Sequence, residues 1–213
     1  MANSFTAKAS PMNEAERRRE QILKAADRLL RHYGPQKTTV ADVAREAGIG
    51  VGSVYLEFPS KEALIEELSR GRLHAVIAAM RAVAEDAARP YRERLPGALD
   101  ARLAAYRALA DEGAHACDLV HCRSSGVTTA QSTFHQDELA LLITLLRDGT
   151  AAGELDVPEP ESTAHALLRA YASFTPPWIA GRDGAEIERA QAAMHALVLN
   201  GLLRRAPARG RKG

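Results

Sequence analysis

A chain of 213 residues, 46% of them apolar, can bury a core large enough to fold without disulfide staples. Aromatics are scarce at 5%, alanine and leucine abound, and runs of Val, Ile and Thr are nearly absent, which argues against a β-rich fold and for an all-α one. A net charge of +1 singles out no class of partner, and no apolar run reaches the ~18 residues that a membrane-spanning helix requires.

Residues 1 to 12 are small and polar with no apolar period and read as a disordered arm. Ile22, Ala25, Ala26, Leu29, Leu30 and Tyr33 recur at the spacing of one helix face, which predicts a helix from about Asn13 that Gly34 and Pro35 stop. Thr39 and Asp42 have the spacing of a capping box, so a second helix begins at Val40; it ends near Ala47, where Gly48 can take the left-handed conformation. A third, from about Val51 to Glu57, stops at Phe58 and Pro59. Ser60 caps a long fourth helix with Leu64, Ile65, Leu68, Ala75, Val76, Ala79, Met80 and Val83 on its apolar face, fraying by Arg89 and Pro90.

Beyond it, helices are predicted at about 97 to 110 (Leu99, Leu103, Tyr106, Leu109), at about Cys117 to Arg123 with a loop following, and at 134 to 151 (Leu139, Leu142, Ile143, Leu146). Val157-Pro158-Glu159-Pro160 announces a helix carrying Ala164, Leu167, Leu168, Tyr171 and Phe174, which Pro176-Pro177 breaks. The last helix runs from about Gly184 to Leu203 with Ile187, Ala190, Met194, Leu197, Val198 and Gly201 on one face, and residues 204 to 213 form a basic, disordered tail. No internal repeat is present.

Two short helices joined by a tight turn that opens on glycine have the spacing of a helix-turn-helix. Val40, Val43, Ala44, Ala47, Ile49, Val54 and Phe58 are its expected interior, against Leu29, Leu30 and the start of the fourth helix. The outward face of residues 51 to 57 is then free to enter a major groove. Of the 28 Lys and Arg and 27 Asp and Glu, ten and seven lie at or before Lys61, leaving 18 and 20 beyond it, an asymmetry that is mild and only permissive for DNA.

The run TTVADVAREAGIGVGSVYLEFPSKEAL, Thr38 to Leu64, resembles the DNA-binding signature of the TetR family of bacterial transcriptional repressors. A turn glycine, a tyrosine, a phenylalanine and a Ser-Lys pair fall at that family's offsets, and the resemblance covers residues 14 to 68. It implies a DNA contact surface made by Thr38, Thr39, Gly50, Val51, Gly52, Ser53, Tyr55, Leu56 and Lys61. Thr39 would cap its helix and touch a phosphate, Val51 and Ser53 would face bases, Tyr55 and Lys61 would hold phosphates, and Leu56 stands where a base-contacting side chain is common. Two departures stand out. Gly50-Val51 replaces the usual Ser or Thr followed by Lys or Arg, and Glu57, where an aromatic or basic residue is common, must either point away from phosphates or accept from a cytosine amine.

The resemblance further implies an all-α protein in which a three-helix DNA-binding domain (13 to 59) precedes a helical effector-binding and dimerisation domain (60 to 203). Dimer formation would use Leu167, Leu168, Tyr171, Phe174, Ile187, Met194, Leu197, Val198 and Gly201, although a dimer face and a core face have the same period. Such a homodimer suits a palindromic operator whose half-sites lie about 34 to 36 Å apart. A small-molecule effector pocket would involve His74, Tyr106, His121, Phe134 and Trp178.

His115, Cys117, His121 and Cys122 include zinc- and copper-type donors, but on a helix Cys122 sits about 100° round from the face shared by Cys117 and His121. No metal or other cofactor is therefore assigned. The absence of GxSxG, HExxH, CxxC and a glycine-rich phosphate loop argues against an enzyme. The expectation is a cytoplasmic repressor released from DNA by an effector. The alternatives are an effector-independent or activating regulator and, behind these, a metal or redox sensor.

Overall fold

The computed structural model describes residues 13–202, and the regular elements among them are helices. The expected arm at 1 to 12 and tail at 204 to 213 lie outside the described residues. No helix among the described residues is long and apolar enough to cross a membrane.

Local signals set the first four helices. α1 (Glu14–Tyr33) opens on a reciprocal cap in which the Glu16 N–H donates to Asn13 Oδ1 and the Asn13 N–H donates to Glu16 Oε2, both at 2.8 Å. α2 (Val40–Ala47) opens on the Thr39–Asp42 box and closes at Gly48, whose φ of 67° is left-handed. α3 (Val51–Glu57) ends at Phe58, and α4 (Lys61–Ala84) starts where Ser60 accepts from the Ala63 N–H. Ile22, Ala26, Leu30, Val43, Ala44, Val54, Phe58, Leu64 and Ile65 pack into one cluster, and Leu119 and Val127 from much later in the chain complete it. The helix-turn-helix therefore rests partly on the C-terminal body.

That body comprises α5 (Tyr91–Ala110), α6 (Asp118–His121), α7 (Ser125–Ala151), α8 (Pro160–Ala170), a 3-10 turn (Ala172–Phe174) and α9 (Gly184–Leu202). α4 packs chiefly on α5 and α7, and α7 on α8. Because α4 is enclosed on two sides, its buried arc takes in Leu73 and Ile77 and leaves Ala75, expected on the apolar face, exposed.

Two helices start earlier than their sequence predicts. α5 begins at Tyr91 and not near 97, with Pro96 inside it. Leu95 is fully buried, and Arg94 lies 4.3 Å over the Tyr91 ring, so packing outweighs the local cost of the proline. α7 begins at Ser125, where a loop was expected to continue to about 134. Its polar first turns satisfy themselves: the Val127 N–H donates to Ser124 Oγ, and the Thr128 and Thr129 hydroxyls donate to carbonyls four residues back. Gly126, Val127 and Ala130 supply the buried face.

The expected dimer residues also divide. Leu167, Leu168, Tyr171, Phe174 and Ile187 are buried in this chain's own core and are not free to meet a second copy. Met194 and Val198 are half-buried, and Leu197 is 73% exposed. Gly201 lies in the last turn of α9. Ala192, Ala193 and Ala196 are exposed on α9 near Leu197, and His165, Ala166 and Arg169 are exposed on α8.

Candidate nucleic-acid interface

The turn between α2 and α3 is held from within. The Ile49 N–H donates to the Ala44 carbonyl at 3.0 Å, and the Ser53 N–H donates to Gly50 at 2.9 Å. Val54 and Phe58, one helical turn apart, are buried at 1% and 3% exposure and fix which side of α3 faces the protein. Helical geometry then turns the remaining positions outward: Val51 is 42% exposed, Tyr55 50% and Leu56 83%, with Gly50 and Gly52 open and Ser53 half-buried.

Glu57, whose orientation the sequence left open, faces α1. Arg18 Nε lies 3.0 Å from its Oε1, Arg19 donates to its carbonyl at 3.3 Å, and the Arg19 guanidinium stacks 4.3 Å over Phe58. The carboxylate is thus held on the inner side of α3, away from any groove. No local pattern in the sequence marks these arginines as partners, since Arg18 and Glu57 lie 39 positions apart.

The flanking residues are less free than expected. Thr39 is exposed and its hydroxyl donates to Asp42 at 2.6 Å; that bond, the Thr39 N–H and Arg45 hold the Asp42 carboxyl below its ordinary range. Thr38 is buried at 3% with its hydroxyl donated to the Gly34 carbonyl, so its side chain belongs to the protein's interior and not to a contact surface. Lys61 donates from Nζ to the Pro35 and Thr38 carbonyls at 2.9 and 3.3 Å, clamping the loop between α1 and α2. An ammonium has three donors, so one stays available beside α3.

Gly52 carries a further signal. Among the described residues nothing lies within 4 Å of a Cβ added there, and its φ is not left-handed, so the fold does not require glycine. Gly52→Ala should therefore stabilise the free protein by about 0.5 to 1 kcal/mol, seen as a higher urea midpoint with an unchanged slope.

The expected effector residues are only partly brought together. Tyr106 and Phe134, edge to face at 6.4 Å, line a cavity of about 220 Å³ with Arg102, Gln131 and Glu138. His74 is exposed on the outer side of α4, and Trp178, 63% exposed, projects beyond the Pro176-Pro177 turn; neither lines this cavity. His121 does not line it either, and its Nδ1 is buried without a partner among the described residues. His115 is bound through Nδ1 to Asp118 at 2.7 Å, burial raises the Cys117 thiol pKa, and no group of three or more metal-type donors occurs among the described residues.

Comparison with known proteins places these features. Residues 22–68 match the family described as bacterial regulatory proteins, tetR family. The chain is 41% identical over 80 residues to the transcriptional repressor KstR2 of Mycobacterium tuberculosis, covering 38% of this chain and 40% of that one. It is 27% identical over 201 residues to KstR2 of Rhodococcus jostii, covering 87% and 91%. A solved tetR-family regulator from Shewanella sp. PV-4 superposes with a TM-score of 0.63 at 25% identity, over 88% of this chain and 99% of that one.

Proposed function

The chain belongs to the TetR family of bacterial regulatory proteins, and from that premise we propose that it is a cytoplasmic transcriptional repressor that a small-molecule effector releases from a palindromic operator. The observation that carries this reading is the exposed outer face of α3, held in place by Val54 and Phe58 beneath it. In this reading residues 13 to 59 read DNA and residues 60 to 203 bind effector and dimerise. Val51, Ser53 and Leu56 face bases, and Thr39, Tyr55 and the third Lys61 donor hold phosphates. The open alanine face of α9 around Leu197, with the outer face of α8, pairs two copies so that two recognition helices meet successive major grooves.

The cavity beside Tyr106 and Phe134 is the proposed effector site. At about 220 Å³ it falls below the range of about 300 to 1,000 Å³ typical of ligand pockets, so an effector must enlarge it. An effector that prefers the enlarged form shifts the protein away from its DNA-bound arrangement. The relatives matched carry the name of transcriptional repressors, in keeping with a binding role here.

Affinity selection of genomic fragments with the purified protein tests this reading: a palindromic site should emerge, and screened metabolites should release it. Failure to enrich any sequence overturns it, and a site that no metabolite releases removes the effector. On the selected site, Lys61→Ala should flatten the dependence of log affinity on log salt by about one. An unchanged slope would leave Lys61 only its two carbonyl contacts.

A further inference from the structure

Resting on the reading of α3 as the element that enters the groove, we propose that Val51 and Leu56 recognise thymines through their 5-methyl groups, so that each operator half-site carries thymine at the positions these two side chains meet. Direct readout in the major groove pairs Arg or Lys with guanine, Asn or Gln with adenine, Asp or Glu with cytosine, and apolar side chains with the thymine methyl. The seven residues of α3 are VGSVYLE. Its one charged side chain, Glu57, is held against α1 by Arg18, and neither Asn, Gln, Lys nor Arg occurs in the helix. The outer face thus offers two aliphatic side chains, the Ser53 hydroxyl and the Tyr55 ring.

Two observations point to a partner that meets this face through apolar contact. Leu56, at 83% exposure, is far more open than the inner face requires, since Val54 and Phe58 already close the core. Gly52, one helical turn before Leu56, leaves bare backbone where a side chain would fit. Gly52 and Leu56 point directly outward, while Val51, about 140° round the axis from Leu56, is open at the N-terminal end of α3. A partner brought close over Gly52 that also reaches this end sets both side chains against base edges, and a methyl group is the apolar feature those edges present.

The test uses the full-length protein and a random-sequence duplex pool. The winning duplex is resynthesised with dU in place of dT one position at a time, which removes the methyl and keeps every hydrogen-bonding group. Thymine should be selected at two or more positions in each half-site, and each critical dT to dU change should weaken binding about four-fold, the worth of one buried carbon. Leu56→Ala should abolish that penalty at one position and Val51→Ala at another. Both side chains are exposed, so both variants should keep the unfolding midpoint of the parent. Gly52→Ala should weaken binding to the same duplex while stabilising the fold. A protein that selects a specific duplex yet binds its dU and dT forms equally, or selects half-sites lacking thymine, overturns the proposal. Selection of no duplex by folded protein overturns the underlying reading of α3, and the proposal falls with it.

Discussion

Arg102→Ala should lower the free energy of unfolding by about 3 to 5 kcal/mol, as much as truncating a large, fully buried core side chain. Arg102 and Glu138 form a two-pronged pair, Nε to Oε1 at 2.5 Å and Nη2 to Oε2 at 3.3 Å, with side chains only 9% and 3% exposed. Burial works against the arginine's charge, but the Glu138 carboxylate outweighs it and the guanidinium pKa lies above its ordinary value. Deleting the arginine strands the Glu138 carboxylate between α5 and α7 and also leaves the Tyr171 carbonyl without the bond it accepts from Arg102 Nη1 at 3.5 Å. Desolvating an ion pair costs nearly what its attraction returns, so Arg102→Met combined with Glu138→Leu should restore most of the loss. Urea unfolding of both single variants and the double variant gives the coupling. A single-variant loss under about 1 kcal/mol, the worth of a surface pair, would mean that water reaches these groups.

Gly126→Ala should be a second strongly damaging change, at about 3 kcal/mol, the upper part of the range for overpacking. Gly126 sits in the first turn of α7, directly on the first turn of α4. A Cβ there would drive into the Glu62 carbonyl oxygen and come within 2.9 Å of the Glu66 amide nitrogen. Both are helix backbone and cannot swing aside, so α7 must lift. Lifting it breaks the bonds from the Ser125 hydroxyl and the Gly126 N–H to Glu62 Oε2, at 3.1 and 3.0 Å. It also withdraws Val127 from the cluster beneath the helix-turn-helix. The loss should therefore appear twice, in the thermal midpoint and in DNA affinity. Glu62→Gln, which keeps the backbone contact, should cost far less. An alanine variant as stable as the parent would disprove the close approach of α4 and α7.

The two substitutions probe different kinds of legibility. The close approach at Gly126 has no local signature, since Ser125 to Thr129 look like loop until α4 is placed beside them. The Arg102–Glu138 pair spans 36 positions and stands in helices whose periods predict burial but not partners. The expected dimer residues show the same limit: Leu167 and Ile187 repeat at helical spacing whether they face a second copy or their own core, and the structure puts them in the core. Among the expected effector residues, Tyr106 and Phe134 line one cavity because α5 and α7 pack side by side, whereas only residue type speaks for His74 and Trp178, and both lie elsewhere.

From Asn13 to Ser60 the helix limits and the inward set of the reading head were legible residue by residue, except for Tyr33, which is 51% exposed at the end of α1; caps, glycine closures and apolar periods act within about four residues. The turn of Glu57 to Arg18, the interior place of Thr38, and the completion of the reading head's core from α6 and α7 come from long-range packing. Each of these depends on which distant backbone comes to rest against which, and burial of one element by another leaves no trace in the order of its residues.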